Sequence, residues 1–430
     1  MGRRPLPVRR RGPRAGRRGG LIRSPSGEPR HELARPELVR PVVAGVVAAL
    51  TGFASSFVLV LAGLTAAGAS PAQAASGLLA LCLAQGVLAC LMSWRTGQPL
   101  SFVWSTPGAA LIVAAQGRTG SFAAAVGAFL LCALLLVITG AWPWLANLVR
   151  RVPAPVSGAL LAGVLLPLCL APVTAVRREP VAALAVVVVW LVLRRYAAAW
   201  AVPAAMVVGL LGTAWLLEGG IALEWAPRLL AVVPAFDPFV IVSLGVPLYV
   251  VTMAGQNVPG FAILDTLGYR DVPVARVLVG AGVGSAVAAF FGGHAVNLSA
   301  LAAGIIAGPG ASADPRRRWV AAVAGGGGYL VLGLLATPIA EFVGSGDPVL
   351  VEAVAGLALL SSFAGGLTSA LSDPRHRVTA GLTFAVVASG VTFAGVGSAF
   401  WGLAAGLLVF WWSRERAVRE AVGTVDASDQ

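Results

Sequence analysis

Two short segments bring helix-breaking and polar residues into the middle of apolar sequence, and their residue types suit the capture of a small anion. The first is Ser101-Phe102-Val103-Trp104-Ser105-Thr106-Pro107-Gly108-Ala109-Ala110-Leu111-Ile112. Its Phe-Val-Trp stretch favours extended backbone, and Pro107 suits the first turn of a helix. Thr106 then falls at the N-cap, and Gly108 lets a ligand or another backbone approach closely. A half-helix starting inside the bilayer would point N–H groups and its positive dipole end at an anion; a continuous, Pro-kinked helix is the other reading.

The second segment is Phe291-Gly292-Gly293-His294-Ala295-Val296-Asn297-Leu298-Ser299-Ala300. Gly292-Gly293 breaks a helix, and Asn297 or Ser299 is placed to cap the next one. His294 is either a helix–helix hydrogen-bonding residue or a contact for substrate or proton, since imidazole titrates near neutral pH. A third cluster runs from Thr252 to Phe261. There, adjacent Gln256 and Asn257 precede Pro259-Gly260, the pattern of an interrupted helix lining a cavity or of polar glue between helices. Its counterpart, Thr51 to Phe57, offers Ser55, Ser56, Phe53 and Phe57 to an aromatic site or to close packing. Carboxylates are scarce at depth. Asp265 and Glu352 are candidate proton carriers but sit at predicted span ends, where topological or structural roles compete.

The elements that must position these residues are membrane helices. Hydrophobic residues make up 58% of the 430 and charged ones 11%, against about 25% charged in soluble domains. Apolar runs long enough to cross a bilayer are predicted near 41–66, 72–93, 101–116 (broken), 121–140, 154–171, 180–195, 198–217, 238–265, 273–291, 292–308 (broken), 318–341, 348–370, 377–394 and 397–413. The fold class is therefore an all-α integral membrane protein of 14 transmembrane segments. Residues 41–217 and 238–416 each carry seven, joined by the polar connection 218–237, with tails at 1–40 and 417–430. An odd number of spans per repeat makes the repeat inverted, with the broken spans third and tenth, an architecture of many secondary transporters.

Every one of the 31 basic residues is Arg. With both termini cytoplasmic, 27 of the 31 fall inside, as the positive-inside rule requires; Arg118, Arg177, Arg178 and Arg228 are the outer ones. The Arg-rich segment 1–40 reads as a disordered topology determinant touching anionic lipid rather than nucleic acid. Cys82, Cys90, Cys132 and Cys169 lie in apolar runs without metal-ligand spacing, so no metal or cofactor is expected. Walker A, His-Glu-x-x-His and Gly-x-Ser-x-Gly motifs are missing, which argues against an enzyme, and no intramembrane Arg is read as available to pair with an anion.

Trp104-Ser105-Thr106-Pro107-Gly108-Ala109-Ala110-Leu111, Gln256-Asn257-Val258-Pro259-Gly260-Phe261 with Gly268-Tyr269-Arg270, and Gly292-Gly293-His294-Ala295-Val296-Asn297-Leu298 together resemble the bacterial benzoate membrane transporter family, from about Pro41 to Trp412. The resemblance implies benzoate:proton symport across the bacterial inner membrane, in a fold similar to that of uracil/nucleobase and sulfate-type anion transporters. It also implies a core of spans 1–4 and 8–11 moving against a gate of spans 5–7 and 12–14, with short strands before the half-helices of spans 3 and 10. Relatives often dimerise through the gate, which makes a homodimer a candidate assembly. On this reading Phe53, Ser56, Trp104, Thr106, Gly108, Gln256, Asn257, His294 and Asn297 surround the substrate, Phe261 adds ring contact, and His294, Asp265 and Glu352 are the proton-coupling candidates. Nucleobase relatives carry acidic residues where this chain has Gln256, Asn257, His294 and Asn297, a departure that suits an anionic carboxylate and leaves the proton carrier open. Another small anion, a nucleobase-like metabolite or a passive anion channel is the alternative.

Overall fold

The computed structural model describes residues 35–117, 119–142, 153–216, 224–344, 349–391, 393 and 397–426. Most of the Arg-rich tail, Arg118, Arg150, Arg151 and Asp347 lie outside the described residues.

The chain is predominantly helical. In its first half α1 (Arg35–Ala66) and α2 (Pro71–Thr96) precede a three-residue strand β1 (Phe102–Trp104), the half-helix α3 (Thr106–Ala114) and α4 (Phe122–Ala141). Next come α5 (Ala154–Cys169), a short α6 (Ala171–Arg178), α7 (Pro180–Tyr196), a 3-10 turn (Ala198–Trp200) and α8 (Ala201–Leu216). The second half repeats the plan with α9 (Pro238–Thr266), α10 (Val274–Ala289), β2 (Val296–Leu298) and the half-helix α11 (Ala300–Ile306). It closes with α12 (Trp319–Gly333), α13 (Ala336–Gly344), α14 (Val349–Ala370), α15 (Arg377–Ala388) and α16 (Ser398–Asp426). Among the described residues six helices are long and apolar enough to cross a membrane, or seven if α12 and α13 form one span bent by 56°. The bend has a local cause: Pro338 has no N–H to give the carbonyl four residues back, so a straight helix cannot pass.

Two packing groups emerge. In one, α10 lies along α4 and α2, α12 along α1 and α2, and α13 on α2. In the other, α14 lies along α5, α6 and α8, and α15 along α5 and α16. They meet where α1 touches α14 and α8 and where α3 touches α5. Small residues set the closeness, as expected where apolar burial against lipid gives no drive for helix association. A Cβ built on Gly45 of α1 would collide with the Ala321 carbonyl of α12. Helix α9 is not uniform: Ile241–Gly245 and Met253–Asn257 are π-turns. In the second, the Val258 N–H reaches the Met253 carbonyl, five residues back. Pro259 follows directly, and widening the turn relieves the clash its ring would make with the preceding carbonyls.

Candidate functional site

The two strands pair with each other. β1 and β2 run antiparallel, with Phe102 opposite Leu298, Val103 opposite Asn297 and Trp104 opposite Val296. The ladder continues at both ends, where Ser105 N–H donates to Ala295 O and Ser299 N–H to Ser101 O, each at 2.8 Å. At membrane depth an unpaired backbone group costs several kcal/mol, so each broken span supplies what the other lacks. The outer edge of β2 is closed by side chains. Ser285 Oγ accepts from Val296 N–H at 2.8 Å, and Asn257 Oδ1 accepts from Leu298 N–H at 2.9 Å.

Both half-helices are capped by serine. Ser105 Oγ accepts from Gly108 N–H at 3.1 Å and shares a 2.8 Å hydrogen bond with Thr252 Oγ1 of α9. Ser299 Oγ accepts from Ala302 N–H at 3.0 Å. The cap of α3 is thus Ser105, one residue before the expected Thr106, because β1 ends at Trp104 and the next residue must turn the chain. Asn297 is not a cap; it sits at the centre of β2. Behind the strands Trp104 is locked in place. Its indole N–H donates to Ser56 Oγ at 2.9 Å, and its ring meets Phe53 edge-on at 5.7 Å and Tyr329 at 5.9 Å.

In front of the capped ends lies a cavity of about 320 Å³, within the roughly 300–1,000 Å³ of small-molecule sites. One wall is Thr51, Ser55, Ser56, Trp104, Thr106, Gln256 and Ser299; the other is Trp190 and Arg194 of α7, Ala201 of α8, and Leu357, Ser361 and Ser362 of α14. The cavity therefore opens between the two packing groups, hydroxyl-rich on one side and carrying a guanidinium on the other.

Of the nine residues that the resemblance placed around the substrate, Ser56, Trp104, Thr106 and Gln256 line this cavity. Phe53, Gly108, Asn257, His294 and Asn297 lie behind the lining. A Cβ on Gly108 would come within 2.6 Å of Leu248 and 2.8 Å of Ser105 Oγ, so this glycine admits helix α9. His294 is fully buried; Nδ1 accepts from Ala295 N–H at 2.6 Å, the ring meets Phe129 at 6.4 Å, and Nε2 has no hydrogen-bond partner. Asn297 donates to Leu298 O at 3.0 Å while its Oδ1 is buried and unpartnered. Phe261 is half-buried, and Asp265 and Glu352 are exposed; none of the three touches the cavity. No group of three or more His, Cys, Asp or Glu is arranged to hold a metal among the described residues. Sequence reasoning missed Trp190, Arg194, Ser361 and Ser362. The available signal was the four-residue spacing of Trp190 and Arg194, which puts both on one face of α7.

The model of the benzoate membrane transport protein family matches residues 37–411. The chain is 36% identical over 370 residues to Inner membrane protein YdcO of Escherichia coli (strain K12), covering 85% of this chain and 93% of that protein. It is 27% identical over 372 residues to the benzoate membrane transport protein of Acinetobacter baylyi, covering 86% and 93%. Among solved structures, the transmembrane domain of a cyanobacterium bicarbonate transporter, BicA, aligns with a TM-score of 0.54 at 17% identity, over 87% of this chain and 98% of that one. The murine Solute Carrier 26 family member A9 anion transporter in the inward-facing state aligns with a TM-score of 0.52 at 13% identity, over 90% and 70%. The chain belongs to the benzoate membrane transport protein family, as its three motifs suggested. It is a membrane transporter and not an enzyme.

Proposed function

From that membership we propose that the chain imports benzoate or a similar aromatic carboxylate together with protons across the bacterial inner membrane, by alternating access. The observation that carries this reading is the cavity between the serine-capped half-helices and helices α7, α8 and α14. It is large enough for a substituted ring, ringed by hydroxyls and an amide that can donate to a carboxylate, and bounded by elements from both packing groups. A cavity lying between two bodies is what a rocking or sliding mechanism needs, because relative motion opens it to one side at a time.

In this reading the chain crosses the membrane fourteen times as a 7+7 inverted repeat, with both termini cytoplasmic. The group built on α1–α4 and α9–α13 is the core; that built on α5–α8 and α14–α16 is the gate, through which two copies would pair. The carboxylate sits before Thr106 and Ser299 with Gln256 as donor, and the ring faces Trp104 and Trp190. Phe53 shapes the site through Trp104, Gly108 and Asn257 through the half-helices they hold in place. His294, just before β2, is the leading coupling residue, and Asp265 and Glu352, exposed and outside the cavity lining, are the other candidates.

Purified protein in proteoliposomes tests this. Labelled benzoate should accumulate under an inward proton gradient and saturate with concentration. Collapse of the gradient with a protonophore should abolish accumulation, and His294→Gln should retain benzoate exchange while losing gradient-driven uptake. Uptake indifferent to the gradient would remove the proton from the mechanism, and a flux that never saturates would indicate a channel.

A further inference from the structure

Arg194 and Arg195 close helix α7 as an adjacent basic pair, and either would serve equally as an inside charge or as a complement to the helix dipole. The structure separates them. Arg194 lines the cavity, on the face of α7 that carries the buried Val186 and Trp190 at four-residue intervals. Its guanidinium lies 5.2 Å from the Trp190 ring centre. Arg195 is turned onto the exposed Tyr196, 5.6 Å from that ring, and does not line the cavity. Among the described residues no carboxylate is paired with Arg194. Arg194 is itself exposed while forming part of the wall, so it stands where the cavity reaches the surface.

We infer that Arg194 is the charge-selecting residue of the cavity, recruiting a carboxylate at the mouth and handing it to the capped half-helices across from it. This rests on the transport reading above and adds to it a cation supplied by the gate side. The chemistry fits. A guanidinium presents a planar fork to a carboxylate, and Trp190 beneath it holds the fork in orientation by cation–π contact while offering a ring face to an aromatic substrate. The hydroxyls of the opposite wall discriminate poorly between an acid and its amide; a fixed cation does so strongly.

Binding to purified wild-type, Arg194→Gln, Arg194→Lys and Arg195→Gln proteins tests the inference, with benzoate, its neutral isostere benzamide, and the smaller anions acetate and bicarbonate as probes. Arg195→Gln controls for the lost inside charge. We expect Arg194→Gln to weaken binding of whichever anion the wild type takes by about tenfold or more, Arg194→Lys to restore part of it, and Arg195→Gln to stay within about twofold of wild type. Any weak benzamide binding should be unchanged in all. Equal anion affinity in Arg194→Gln and wild type, or equal losses in the two Gln variants, overturns the assignment. A wild type that binds acetate or bicarbonate but not benzoate instead strikes the substrate reading and leaves the Arg194 comparison to be made on that anion.

Discussion

At the scale of single residues, the site is organised by side chains that serve the backbone. Asn257 is the clearest case. Its amide oxygen accepts from Leu298 N–H, and its nitrogen reaches Met253 Sδ at 3.4 Å. Asn257→Ala would strand that N–H in a buried place, at a cost of about 1–3 kcal/mol. The apparent melting temperature in detergent should fall, and transport should fall with it through a loosened β2. Ser56→Ala should act alike by orphaning the Trp104 indole N–H, again at about 1–3 kcal/mol. Unchanged melting in both variants would show that water or a neighbour replaces these bonds. Polarity at depth was visible in the amino-acid sequence for Asn257, His294 and Asn297, but its direction was not. An amide in an apolar run looks the same whether it faces a ligand or a strand edge. Thr106 and Ser105 posed a similar ambiguity: two adjacent hydroxyls precede Pro107, and which one caps depends on where β1 stops.

At the scale of elements, the breaks in the helices were legible because they are written in Pro and Gly. Pro107 opens α3, Gly292 ends the stretch after α10 with φ +89°, and Pro259 follows the π-turn of α9. Gly292 is required twice over. Its left-handed backbone costs other residues roughly 1–2 kcal/mol, and a Cβ there would lie 3.2 Å from both the Gln73 carbonyl and the Phe122 ring. Gly292→Ala should therefore lower thermal stability by at least that strain, and unaltered stability would mean that the turn can relax. What could not be read was the partnership of β1 and β2. Three residues carry almost no register information, and their partner lies in the other half of the chain. The split of Arg194 from Arg195 is likewise decided by how α7 rotates against α8 and α14; the four-residue spacing puts Arg194 on the face of Trp190 but does not say which way that face turns.

At the scale of the whole molecule, the two packing groups and the cavity between them set what a labelling experiment should see. Cys82 and Cys132 are fully buried, so they should resist thiol reagents in the folded protein. A cysteine introduced as Ser362→Cys, on the α14 wall of the cavity, should react with a membrane-impermeant maleimide from one side of the membrane and be protected by bound substrate. Reaction from both sides at equal rates would argue against a closed outer barrier. The pairing of β1 with β2 also bears on how the protein is made. Among the described residues each strand has the other as its sole sheet partner. The backbone at Ser101 and Ser105 stays unsatisfied until Ala295 to Ser299 has been synthesised and has entered the bilayer. The first half is thus left waiting, with polar backbone to be shielded by water or by the insertion machinery, and a ribosome halted before β2 would leave behind not half a transporter but a substrate for quality-control proteolysis.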